Sequence, residues 1–402
     1  MKKILLLSGF MLFLVVVKAN AQAVEVSSFS YLNNLMHSDR TQTISLSASA
    51  IMSLNDYDYV GSNSKIIYGN NAVLDGGMKY SGFKVGHGKH LNIIDLTMQN
   101  FCCYEHSYSG KSIFLNEASL LATGMIDFMN NGAQEGGAVF VRNSTSSFNA
   151  SVTNFKYNSA ISGGGAIYVK DSNIIFNSST INFIGNSVTL RDGYNYGGAI
   201  FVNTSVVSFS SSTINFIDNN TLSGSNNSYG GAIYAARNTA IDFKNSAVNF
   251  INNNASSEGG AVYVDGNSQI IFSRSVINFT ANKTGLFGGA ILLNGNSIIS
   301  FNNSEVNFTN NNISPLGNYG GAICVSNSIL NCSNSTINFI GNNAGSSSDN
   351  SYGGAIYSIN SNIMLNGSTR FINNQAGSKG GAIYMDGGVL NIAQLLIYWH
   401  GA

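Results

Sequence analysis

Charge is scarce in this chain. Only 9% of its 402 residues are charged, 19 basic against 19 acidic, and the formal net charge is zero. So few cations leave no basic footprint for nucleic acid or for an anionic membrane surface. Proline is nearly missing, with one residue beside 44 glycines. Four cysteines are too few for a disulfide framework at this length. Yet 44% of the chain is apolar and 11% aromatic, which excludes a disordered polar tract.

Long apolar runs are also rare, and the one of note lies at the start. Lys2 and Lys3 precede a largely apolar stretch from Ile4 to Val17, and Ala19, Asn20 and Ala21 supply a small-x-small pattern. This predicts a cleaved secretory signal over residues 1–21. A stretch of about 14 residues broken by Ser8 and Gly9 is too short for an uncleaved anchor, which needs about 20. The mature chain is expected to be exported, with no spanning helix.

What is abundant is repetition. Gly-Gly-Ala followed by an aliphatic residue begins at Gly136, Gly164, Gly197, Gly230, Gly259, Gly288, Gly320, Gly353 and Gly380, nine copies 27 to 33 residues apart. Phe-x-x-Asn recurs in step: Phe128 with Asn131, Phe155 with Asn158, Phe183 with Asn186, Phe216 with Asn219, Phe250 with Asn253, Phe279 with Asn282, Phe308 with Asn311, Phe339 with Asn342, Phe371 with Asn374. From each Gly-Gly to its Phe is 18 to 20 residues, whereas from Phe to the next Gly-Gly is 8 to 14. One segment is fixed and one corner accepts insertions, as in a solenoid whose strands must stack while a solvent-facing loop grows at little cost.

Helical periodicity is absent from the repeats. Each unit holds three short runs of period two, "AIYV", "NIIF" and "TINF" in one copy. The prediction is an all-β, right-handed parallel β-helix with three strands per coil and about nine signature coils. The rival, a leucine-rich repeat, needs regularly spaced Leu. Residues 22–125 read as N-terminal coils and a cap, 126–390 as the repeat helix, and 391–402 as an incomplete tenth coil with Trp399 in the slot of Phe339, an apparent truncation.

Alternation assigns side chains to faces. Phe176, Phe209, Phe243, Phe272 and Phe301 should stack inside, one per coil, about 4.8 Å apart, with Cys332 and Leu365 in the same slot later. The Phe of each Phe-x-x-Asn is also predicted inside. Its Asn, tolerant of left-handed backbone, should turn the corner and tie coils together. Gly-Gly, as at Gly164 and Gly165 or Gly197 and Gly198, allows positive φ and close backbone approach. In the first strand, inward Ile and Val turn Phe140, Tyr168, Phe201, Tyr234, Tyr263, Tyr357 and Tyr384 outward, an exposed aromatic stripe and candidate binding surface. The alternative is that a corner shifts the parity and these rings fill the core.

The alternation of Gly-Gly-Ala-(Ile/Val/Leu) with Phe-x-x-Asn behind a signal sequence, over residues 128–386, resembles the chlamydial polymorphic outer membrane proteins. The resemblance implies the passenger of an autotransporter, displayed on the outer membrane by a C-terminal β-barrel and acting as a virulence-associated adhesin toward host cells or glycans, with both tetrapeptides implicated. No barrel strands follow the repeats here. A released, purely structural or nonfunctional truncated product is the alternative.

Parallel β-helices also carry pectate lyases and polygalacturonases. "GHG" at Gly86, His87 and Gly88, with Asp56, Asp58, Asp75 and Asp95 in the same region, resembles one polygalacturonase signature, but its companion signatures are missing. The expectation is therefore no enzyme, no cofactor and no metal. Cys324 and Cys332 are expected to be free thiols.

Overall fold

The computed structural model describes residues 23–38, 40, 42–47, 51–53, 59–61, 63–102, 112–189, 193–222, 227–314, 319–345 and 350–398. The signal-like segment 1–21, Asp56, Asp58 and Trp399 lie outside them. The chain winds as an all-β parallel solenoid of about 11 turns.

One coil shows how the sequence makes the turn. Strands β1 (Ile167–Lys170), β2 (Asn173–Asn177) and β3 (Thr180–Ile184) pair in parallel with β4 (Ile200–Asn203), β5 (Val206–Ser210) and β6 (Thr213–Ile217) of the next coil. They are short because a left-handed residue interrupts the chain at every corner: Gly164 (φ 61°), Asp171 (49°), Ser178 (49°) and Gly185 (62°). Identical positions lie over one another, Ile167 on Ile200, Phe176 on Phe209 and Phe183 on Phe216.

Inside, two phenylalanine columns form the centre of the core. Rings from Phe148 through Phe301 stack at 4.7 to 5.1 Å, and Cys332 and Leu365 continue the same column, buried. The second column runs from Phe128 to Phe371 at 4.6 to 5.0 Å. Burying each ring contributes roughly 1.5 to 3 kcal/mol. In the last described strand, β7 (Ile383–Tyr398), Ile397 lies opposite Phe371. A register shift lies between Leu365 and Ser368, and Trp399, expected in that column, falls outside the described residues.

Two polar columns hold the corners. The signature asparagines, Asn131 through Asn374, are fully buried or nearly so and form one hydrogen-bonded ladder. They are not the left-handed residues. That role falls to the residue just before each: Asn130, Tyr157, Gly185, Asp218, Asn252, Ala281, Asn310, Gly341 and Asn373. The asparagine can then turn its amide inward, where a left-handed backbone would aim it elsewhere. A second ladder, unforeseen from the sequence, joins successive coils at the corner between the first and second strands: the N–H of Ser144 donates to Ser172 Oγ and that of Ser172 to Ser205 Oγ, both at 3.0 Å.

The insert-bearing corner is not simply a loop. Short segments such as Ser159–Gly163, Ser187–Val188 and Asn195–Tyr196 form a separate nine-stranded parallel sheet. At the other end of the chain a helix, α1 (Phe29–His37), buries Leu32, Leu35 and Met36 against the first coils. The ammonium of Lys65, only 2% exposed, anchors that end by donating to the carbonyls of Ser38 (3.0 Å) and Arg40 (2.7 Å).

Candidate functional site

The predicted aromatic stripe faces away from the main core, as inward Ile167 and Val169 require. It is not exposed, and that expectation is corrected. Phe140, Tyr168, Phe201, Tyr234, Tyr263 and Tyr357 are 5 to 8% accessible, and Tyr384 is half-buried. Their rings stack along the axis, Phe140 on Tyr168 at 5.0 Å, Phe201 on Tyr234 at 5.3 Å and Tyr357 on Tyr384 at 5.6 Å.

From Phe201 onward, what covers them is the residue immediately before the Gly-Gly. Tyr196, Tyr229, Glu258, Phe287, Tyr319, Tyr352 and Lys379 bridge one to the next in parallel register. The left-handed first glycine folds this residue back over the strand that follows. The Tyr196 ring lies 5.0 Å from Tyr234, and Tyr319 lies 4.4 Å from Tyr357. The outer rings are half-buried and present their remaining edges to solvent. Alternation within the strand could not reveal this column, but an aromatic before five of the nine Gly-Gly pairs was a signal in the sequence.

The Chlamydia polymorphic membrane protein repeat matches at residues 152–170, 247–265 and 368–386. Each match runs from the Phe-x-x-Asn corner through Gly-Gly to the end of the first strand, the segment that builds the asparagine ladder, the covering residue and the stripe. This is a polymorphic membrane protein-like repeat protein. No curated protein and no solved structure matches the chain.

In this polymorphic membrane protein-like chain the tyrosines in the middle of the two columns resist ionisation. Burial pushes the phenol of Tyr229 up to about 12, with Glu258 adding to it, and burial lifts Tyr168, Tyr234 and Tyr263 above the usual phenol range. The phenols therefore stay neutral hydrogen-bonding groups across the physiological range. Glu258 stands where a ring stands in neighbouring coils, and burial, with the Asp265 carboxylate beside it, pushes its carboxyl up to about 7.

The polygalacturonase-like residues are otherwise engaged. His87 Nδ1 meets Glu117 Oε2 at 2.6 Å on the open surface. Burial opposes ionisation of Asp75, but hydrogen bonds from Gln99, the Gly77 N–H and Asn100 outweigh it and hold its carboxyl below the ordinary range. Asp95 accepts the Met125 N–H at 2.8 Å. None of these bonds joins His87 to Asp75 or Asp95. Among the described residues no group of three or more His, Cys, Asp or Glu side chains could hold a metal ion, and no helix is long and apolar enough to cross a membrane.

Proposed function

We propose that the protein is an exported surface repeat protein that acts as an adhesin, docking to a host-cell surface through its outer aromatic ridge. The observation that carries this reading is the in-register column of half-exposed rings, Tyr196, Tyr229, Phe287, Tyr319 and Tyr352, seated on a second buried column. Tyrosine offers a large amphipathic contact area at low entropic cost, and rings clamped by stacking lose little freedom on binding. The polymorphic membrane protein repeat and the signal-like pattern at Lys2 to Ala21 support display at the outer membrane or outside the cell.

The test is adhesion of the purified chain to host epithelial cells, comparing the wild type with the double variant Tyr319→Ser, Tyr352→Ser. Cell-bound protein should fall about tenfold, a loss of about 1.4 kcal/mol, while circular dichroism still reports an intact β-fold. Equal adhesion by the folded variant, or none by the wild type, refutes the reading.

A further inference from the structure

A trough of about 850 Å³ runs along the corner between the first and second strands, from His87 to Asn238. It is within the size range of ligand sites, and it crosses six successive coils, since Glu117, Asn143, Asp171, Thr204 and Asn238 follow one another after the Gly86–Gly88 turn. With coils about 4.8 Å apart, its length is roughly 24 Å.

Its lining is specific in what it offers. The side chains of Asn143, Thr145, Asn173 and Asn238 face the trough, and none makes a hydrogen bond within the described residues. The charges are few: Glu117 is paired with His87, Lys89 donates to the neutral Asn63 amide at 3.4 Å, and Asp171 is the remaining carboxylate in the lining. Val206 is the one large aliphatic side chain in the lining. The main-chain N–H groups of Asn143, Thr145, Asp171 and Asn173 are already committed to neighbouring coils, so an extended peptide has no strand edge to pair with here.

We propose that this trough binds a neutral oligosaccharide laid along the solenoid axis, its hydroxyls hydrogen-bonded by the amide and hydroxyl side chains of Asn143, Thr145, Asn173 and Asn238. The inference is independent of the aromatic ridge and of its role in adhesion.

The test uses the full chain and isothermal calorimetry against four probes: the hexasaccharides of maltose, cellulose, chitin and mannan type, with hexagalacturonate as the acidic control. At least one neutral probe should bind. Thr145→Trp, which fills the trough from an exposed strand position, should weaken it about tenfold or more, and Asn173→Ala should weaken it less, with thermal melts unchanged. Tyr319→Ser should leave it intact. Absence of binding to every neutral probe, binding of hexagalacturonate alone, or undiminished binding by a folded Thr145→Trp chain overturns the proposal.

Discussion

Asn253 accepts two hydrogen bonds from Asn219 through a single oxygen: its Oδ1 takes the main-chain N–H at 3.1 Å and the Nδ2 amide at 3.0 Å. The same Asn219 amide donates backward to the Phe183 carbonyl at 2.9 Å. One side chain thus stitches three consecutive coils, and it does so fully buried. Asn219→Ala should leave the Phe183 carbonyl and the Asn253 oxygen short of partners and lower stability by about 2 to 4 kcal/mol. Urea denaturation should show the midpoint falling.

Gly198 and Gly77 resist substitution for different reasons. A Cβ on Gly198 would overlap the main-chain oxygens of Gly231 and Asn220, so Gly198→Ala forces two coils apart. Gly77, with φ 58°, has open space around it and carries only the left-handed penalty. Gly198→Ala is expected to cost on the order of 4 kcal/mol and Gly77→Ala about 1 kcal/mol. Comparative thermal melts test the ranking, and equal losses at the two sites would contradict the close-approach account.

Glu258 predicts a pH dependence. Its carboxyl rises from 4.5 to about 7 on folding, so the folded chain holds the proton more tightly than the unfolded one. The contribution is fully present below pH 4.5 and is lost as the pH climbs through 7. Its size is about 2 kcal/mol after allowing for the solvent-facing edge. Between pH 5 and 8 the stability of the wild type should therefore fall relative to Glu258→Gln, measured as the difference between their melting curves. A constant difference across that range would remove Glu258 as the cause.

Cys324 and Cys332 are free and buried, and burial pushes both thiols well above their ordinary range. Iodoacetamide at neutral pH should leave both unmodified in the folded protein and alkylate both in denaturant, as read by peptide mass spectrometry. Labelling of either before unfolding contradicts the packing of its column.

How much was legible follows from which forces are local. The Phe209, Phe243 and Phe272 column was readable because a strand alternates faces residue by residue and each coil repeats its neighbour. The need for glycine at Gly197 and Gly198 was readable because no other residue lacks a Cβ. The ladder between Ser144, Ser172 and Ser205 was not, because serine is common throughout the chain and only register shows which ones align. The helix at Phe29–His37 was missed because one short element offers too few turns for a period to stand out.

By itself, then, the sequence determined the repeat length, the inward columns and the corner that accepts insertions, since all three depend on local backbone chemistry copied coil after coil. Whether Tyr168 or Tyr234 meets solvent depended on something else. Strand parity says which way a ring points, but the path of the chain around the preceding corner decides what lies on top of it. The tertiary structure brought Tyr196 and Tyr229 back over that strand, and an expected open stripe became a covered layer beneath a new outer ridge.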